Sequence, residues 1–288
     1  MGRKSLKDYF KKARRQGFAL GAFNVCSVEM VKAVVLAAER LKAPVLVESS
    51  EGETEFLRPE NLVALVENFR EEARVPIFVN LDHCRSVKGA KKGVEAGYDM
   101  VHFDGSALVF KENIRKTREV VRWAHRRRVL VEAEIDRIVG SSEWHKDKTA
   151  LEAQSEGRYT DPGRAEEFVR LTGVDVLASF VGNVHGVYKT APKLDVERLE
   201  EIGRRARCFL SLHGGSGIEA GEIRKAIKAG VVKINVSTEL RLAYRAALEK
   251  ALAKSKEVAL YKIMPPVIKA VQKVVEKKIK VFGAVGKA

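Results

Sequence analysis

Short runs of apolar and β-branched residues recur along the chain at intervals too wide for hairpins and suited to strand–helix units. Eight such runs occupy residues 20–25, 44–50, 76–83, 100–106, 129–138, 174–182, 208–217 and 231–238. Between them, segments 28–42, 58–74, 88–96, 111–127, 162–171, 195–205 and 219–229 place apolar residues at helical spacing. Gly97, Gly173 and Gly230 each separate a helical pattern from the strand that follows, where an αβ loop favours glycine. Eight units of similar length, with no glycine-rich first turn of the dinucleotide-binding kind, predict an α/β fold: one (β/α)8 TIM barrel domain over residues 1–288 rather than an open doubly wound sheet. From Glu239 onward the pattern reads as a C-terminal helical extension. Residues 141–159 are polar without apolar periodicity and read as a structureless stretch, either an active-site lid or a disordered loop.

Composition supports this picture. With 45% hydrophobic and 32% charged residues in 288, the chain can bury a core and is not a disordered tail. No run approaches the roughly 18 apolar residues of a membrane span, and the basic, amphipathic start lacks an apolar signal core, so membrane insertion and export are not expected. Three cysteines, Cys26, Cys84 and Cys208, suit a reducing compartment, and a cytoplasmic location is expected. The net charge of +15 favours anionic partners. Runs such as Arg126-Arg127-Arg128 and Arg204-Arg205 read as solvated helix faces, and aromatic residues are only 7% without basic–aromatic interleaving, so a small anion is favoured over nucleic acid.

Functional groups of such a barrel belong at the carboxyl ends of its strands. His83 ends the third strand run, His185 follows the sixth and His213 ends the seventh, while His102 lies inside a strand and His125 and His145 fall in helix and loop. Converging imidazoles suit zinc or another first-row metal. Asp82, Asp104, Glu132 and Glu134 occupy the same rim. Adjacent strand residues normally point to opposite sides, which leaves Asp82 free beside His83; Glu132 reads as a salt-bridged residue on the opposite strand face, and Glu134 has the better claim to the site. Two segments look like anion cradles: His213-Gly214-Gly215-Ser216-Gly217 before a helix, and Asn235-Val236-Ser237-Thr238 after the eighth strand.

The strings Ala22-Phe23-Asn24-Val25, Leu81-Asp82-His83, Glu132-Ala133-Glu134, Val184-His185-Gly186-Val187-Tyr188, Leu212-His213-Gly214-Gly215-Ser216-Gly217 and Lys233-Ile234-Asn235-Val236-Ser237-Thr238 resemble the class II, metal-dependent ketose-bisphosphate aldolases. The likeness runs to the closing Val281-Phe282-Gly283-Ala284-Val285-Gly286-Lys287-Ala288. It implies Zn2+, replaceable by Co2+ or Mn2+ and accompanied in some members by a monovalent cation, held by His83, His185 and His213. Asp104 and Glu134 would serve an alternative metal position and Asp82 would be the catalytic acid/base. Gly186, Lys189, Gly214, Gly215, Ser216, Ser237 and Thr238 would hold a substrate phosphate, with Asn235 at its reacting end and Ser50 nearby. The implied reaction is retro-aldol cleavage of a ketose (bis)phosphate, such as fructose or tagatose 1,6-bisphosphate, to dihydroxyacetone phosphate and an aldehyde, in a dimer or tetramer. The expected proton-returning acid is Glu143, reached by a one-residue slip that otherwise leaves Ser142 at that position.

Departures from the family pattern are Asn80 for histidine, Glu48 for glutamine, Asp136 for glycine, and Ala259-Leu260-Tyr261-Lys262 for an Asp-Pro-Arg-Lys-like string. The last removes an arginine grip on a distal phosphate, with Lys262 as a point-charge substitute. The aldehyde half is therefore expected to differ from glyceraldehyde 3-phosphate. Other readings are a deoxygluconate-type or non-bisphosphate substrate, a Schiff base on Lys233, and a non-catalytic phosphate- or nucleic-acid-binding barrel.

Overall fold

The computed structural model describes residues 5–288. In chain order the elements are α1 (Leu6–Gln16), β1 (Leu20–Asn24), α2 (Val28–Leu41), β2 (Val45–Ser50), α3 (Glu51–Leu57), α4 (Pro59–Glu72), β3 (Ile77–Cys84), α5 (Val87–Ala96), β4 (Met100–Asp104), α6 (Phe110–His125) and β5 (Leu130–Glu134). There follow β6 (Gly140–His145), α7 (Ala150–Ser155), α8 (Pro162–Thr172), β7 (Val176–Ala178), β8 (His185–Tyr188), α9 (Val196–Ala206), β9 (Phe209–Leu212), α10 (Ala220–Lys228), β10 (Val231–Val236), α11 (Thr238–Lys254), α12 (Leu260–Ile263) and α13 (Pro265–Val281).

Eight strands close into a parallel barrel in the order β1-β10-β9-β7-β5-β4-β3-β2. They read as apolar runs because both faces are covered, the inner by facing strands and the outer by helices; β1, β5 and β10 are buried along their whole length. In this ring β9 and β10 stand four places from β3 and β4, so the two pairs face each other across the mouth. At the opposite end α1 turns Tyr9 and Phe10 onto Phe78 and Phe209, near the starts of β3 and β9, with ring centroids 5.7 and 5.4 Å apart. The C-terminal extension is helical as expected: α13 packs against α2 and α11, and Phe282 is fully buried with its carbonyl accepting the Ala19 N–H.

The segment 141–159 differs from expectation. Instead of a structureless stretch it carries β6, which pairs in parallel with β8 as a separate two-stranded sheet, and the short helix α7. A capping box fixes the start of α7, Thr149 and Glu152 each bonding the other's backbone N–H, while Ala150 and Ala153 are buried beside Ile138, Phe180 and Val184.

Candidate active site

A cavity of about 510 Å³ opens at the carboxyl ends of the strands, within the range usual for small-molecule sites. Its lining includes Ser50, Asp82, His83, Asp104, Glu134, His185, Gly186, His213, Gly214, Ser216, Asn235, Ser237 and Thr238, so most of the residues singled out in the sequence meet there. Asp82 and His83 both face it, although neighbours on a regular strand would diverge. The β3–β4 register shifts between Leu81 and Cys84, and His83 adopts φ +47°, a left-handed conformation costly for a residue with a Cβ. This local irregularity turns two adjacent side chains into one site.

The imidazoles of His83 and His213 point at each other, with His83 Nε2 and His213 Nδ1 2.9 Å apart. Each ring is held from behind by a carboxylate: Asp104 Oδ2 lies 3.1 Å from His83 Nδ1, and Glu132 Oε1 lies 2.6 Å from His213 Nε2. The rear nitrogens therefore serve as donors, and the facing nitrogens are left for a shared cation. His185 arrives from β8 with its ring 4.9 Å from that of His83 and 6.0 Å from that of His213. Burial and the neighbouring imidazoles depress its pKa well below the usual histidine range, which keeps it neutral. Glu134 Oε2 lies 3.6 Å from His83 Nδ1 and, though buried, has no hydrogen-bond partner.

His83 reports the field at this point. Burial opposes its protonation, yet the charge of Asp82, the bond to Asp104 and the charges of Glu134 and Asp104 raise its pKa to about 10. The donor set thus calls for positive charge between the rings. Ligand atoms of Asp82, His83, His102 and His213 lie within 4.8 Å of one another, as do those of His83, Asp104 and Glu134, so a divalent ion fits these residues.

Asp82 accepts hydrogen bonds from Asn235 Nδ2 at 3.0 Å and Asn24 Nδ2 at 3.2 Å. Burial pushes its pKa up, but the charge of His83 and the His102 imidazole 3.7 Å away outweigh that and hold the carboxyl well below the ordinary range. It is a buried, ionised base beside the imidazole pair. Across the mouth, the loops after β9 and β10 form a cradle. Gly214 adopts φ +67° and passes so close to Val184 that a Cβ would meet its carbonyl oxygen at 2.2 Å. Ser237 Oγ is buried without a partner, and α11, 17 residues long, begins at Thr238. Backbone dipole and hydroxyls there suit a phosphate.

Some expected residues do not reach the cavity. Glu143 is exposed on β6, where Ser142 lines the cavity instead, because alternate strand residues face opposite ways. Lys189 is exposed and outside the lining, and Gly215 commits its N–H to the Asn235 carbonyl at 2.9 Å. Lys262 pairs with Glu257 at 3.1 Å, also outside the lining. Glu132 faces the barrel interior together with Glu134, not the opposite face: its Oε2 lies 2.8 Å from Lys233 Nζ, while Oε1 takes His213. Lys233 also donates to Asn235 Oδ1 at 2.7 Å, and the charges of Glu132, Glu48 and Asp82 raise its pKa despite burial. Held as an ammonium, it is a poor imine former.

Other site residues were passed over in the sequence. His102, fully buried, accepts the His83 N–H on Nδ1 at 3.2 Å; its strand position two before Asp104 was the signal. Asn24, Arg85, Arg137 and Arg241 also line the cavity. Arg241 pairs with Glu53, 2.6 Å away, and donates to the Ser142 carbonyl at 3.4 Å.

A closed barrel with a histidine–carboxylate cluster that could hold a metal ion at its mouth is the architecture of an enzyme. The family model described as "Fructose-bisphosphate aldolase class-II" matches residues 4–287, and the chain belongs to that family. It is thus an aldolase, a carbon–carbon lyase. It is 38% identical over 288 residues to the fructose-bisphosphate aldolase of Geobacillus stearothermophilus, covering 99% of this chain and 98% of that one. It is 35% identical over 289 residues to that of Staphylococcus aureus (strain Mu50 / ATCC 700699), with 99% and 98% covered. Among solved structures it is similar to the YdjI aldolase from Escherichia coli K12, with 33% identity, TM-score 0.85, and 99% and 98% covered.

Proposed function

We propose that the protein is a zinc-dependent aldolase that reversibly cleaves a ketose phosphate of the fructose or tagatose 1,6-bisphosphate type to dihydroxyacetone phosphate and an aldehyde. The observation that carries this reading is the pair of facing imidazole nitrogens 2.9 Å apart, set beside the ionised Asp82 and opposite the Ser237 cradle. His83, His185 and His213 would hold the metal, with Asp104 and Glu134 available to a second position. The bound ion supplies a Lewis acid for the charge that develops as the C3–C4 bond breaks.

The residues of the chain do the rest. Gly214, Ser216, Ser237 and Thr238 would grip the C1 phosphate and fix the ketose in register. Asp82 would take the C4 hydroxyl proton, so that the aldehyde carbonyl forms as the bond breaks. Asn235 and Asn24 hold the Asp82 carboxylate through their amides, C3 then takes up a proton from solvent to complete dihydroxyacetone phosphate, and Asp82 releases its own proton to solvent for the next turnover. Reversal uses Asp82 as the acid. The same reading includes a cytoplasmic dimer or tetramer; among the described residues no helix is long and apolar enough to cross a membrane.

The test is a coupled assay for dihydroxyacetone phosphate release from fructose and tagatose 1,6-bisphosphates, with borohydride challenge during turnover. Release without trapping is expected, because Lys233 is paired; a borohydride-fixed adduct on Lys233 would overturn the assignment. A second prediction concerns Glu132. Glu132→Gln withdraws the charge behind His213 while keeping its shape, and apparent zinc affinity is expected to fall roughly 10- to 100-fold. Competition with a chromophoric chelator measures this, with Glu119→Gln, at an exposed ion pair on α6, as the control.

A further inference from the structure

Three guanidinium groups line the cavity, and they are not equivalent. Arg241 is bound to Glu53. For the side chains of Arg85 and Arg137, no ion pair or hydrogen bond to a protein group occurs among the described residues, although Asp104 and Glu134 line the same cavity. Those carboxylates are turned to His83, which leaves the two arginines uncompensated.

Their position gives the lack of partners a meaning. Arg85 follows β3 and Arg137 follows β5, on either side of the β4 loop that contributes Ser106, Ala107 and Leu108 to the wall. The phosphate cradle follows β9 and β10, across the ring from β3 and β4. Asp82 and His83 end β3, His213 follows β9, and the two imidazoles meet across the mouth with nitrogens 2.9 Å apart. A ketose held by its C1 phosphate in the cradle, with its reacting carbons at Asp82, must direct its other end toward Arg85 and Arg137. Lys262 is engaged by Glu257 and outside the cavity, so these arginines are the free cations on that path.

We propose that Arg85 and Arg137 form a clamp for an anionic group, phosphate or carboxylate, on the aldehyde half of the substrate, and so set its specificity. The proposal rests on the aldolase reading and deepens it. Planar guanidinium forks take either anion through paired N–H bonds, whereas a neutral hydroxyl end leaves both arginines without a counter-ion.

The experiment is condensation with dihydroxyacetone phosphate, comparing glyceraldehyde 3-phosphate, the carboxylate-ended succinic semialdehyde, and neutral glyceraldehyde. The wild-type protein is expected to favour at least one anionic aldehyde over the neutral one by roughly 100-fold in kcat/KM, the size of one or two charge-assisted hydrogen bonds. Which anion wins separates phosphate from carboxylate. In R137A the anionic-to-neutral ratio is expected to fall roughly 10- to 100-fold, chiefly through KM; R85A/R137A should fall further and R137K lie between. Circular dichroism verifies folding of each variant. Equal wild-type rates on neutral and anionic aldehydes, or a ratio unmoved in R85A/R137A, overturn the clamp while leaving the aldolase reading intact. Failure of all three aldehydes to condense overturns both.

Discussion

Treatment with EDTA followed by desalting is expected to abolish cleavage of the ketose phosphate, and stoichiometric Zn2+ or Co2+ to restore it. The prediction follows from the charge balance around His83. Asp82, Asp104 and Glu134 crowd one ring and raise its pKa to about 10, while His213 and His185 are kept neutral by burial and by that same ring. The surrounding carboxylates favour positive charge at His83, so a divalent ion bound there would compete with a proton, which couples metal affinity to pH. Lewis-acid stabilisation is worth several kcal/mol in such reactions, so the loss should be roughly a thousandfold or more. Metal analysis alongside the assay decides the matter. Undiminished turnover in protein shown to be free of zinc, cobalt and manganese would remove the metal from the mechanism.

Asp82→Asn is the second large effect. Replacing the carboxylate by an amide removes the base while keeping its size, and kcat should drop roughly 10²- to 10⁴-fold with little change in KM. Because Asn24 and Asn235 both donate to Asp82, an amide there must oppose one donor with its own NH2 group. A stability loss of about 1 kcal/mol is expected from that mismatch, small enough to leave the fold intact. Steady-state kinetics with thermal unfolding and zinc content measured on the same preparation separate these effects. Turnover within tenfold of wild type would exclude Asp82 as the proton acceptor.

The barrel was legible because parallel strands covered on both faces are largely apolar, and the runs around Leu20, Val45 and Val231 are buried almost throughout, with polar residues entering toward their carboxyl ends. By contrast, β6 is mostly exposed and pairs only with β8, a partner some forty residues later, so no periodicity marks it. The capping pair Thr149 and Glu152 is the one local signal for α7, and it went unread amid the polar residues of 141–159. Strand-end position found His83, His213, Asp104 and Glu134. The joint aim of Asp82 and His83 was not readable, since it depends on a positive φ that residue type does not encode. Glu132 was misjudged although it lies two residues from Glu134 and must share its face. Glu143 stands exposed on β6 while Ser142 lines the cavity: register on β6 decides which neighbour looks inward, and motif alignment carries no register.

The small sheet over the mouth has one more consequence. His185 begins β8, donates its backbone N–H to Val139, and is paired in register with Gly140 at the start of β6. Any swing of that flap to admit a sugar would drag one imidazole away from the other two. If the three histidines hold a metal as proposed, movement of this sheet and integrity of the metal site would be coupled through His185.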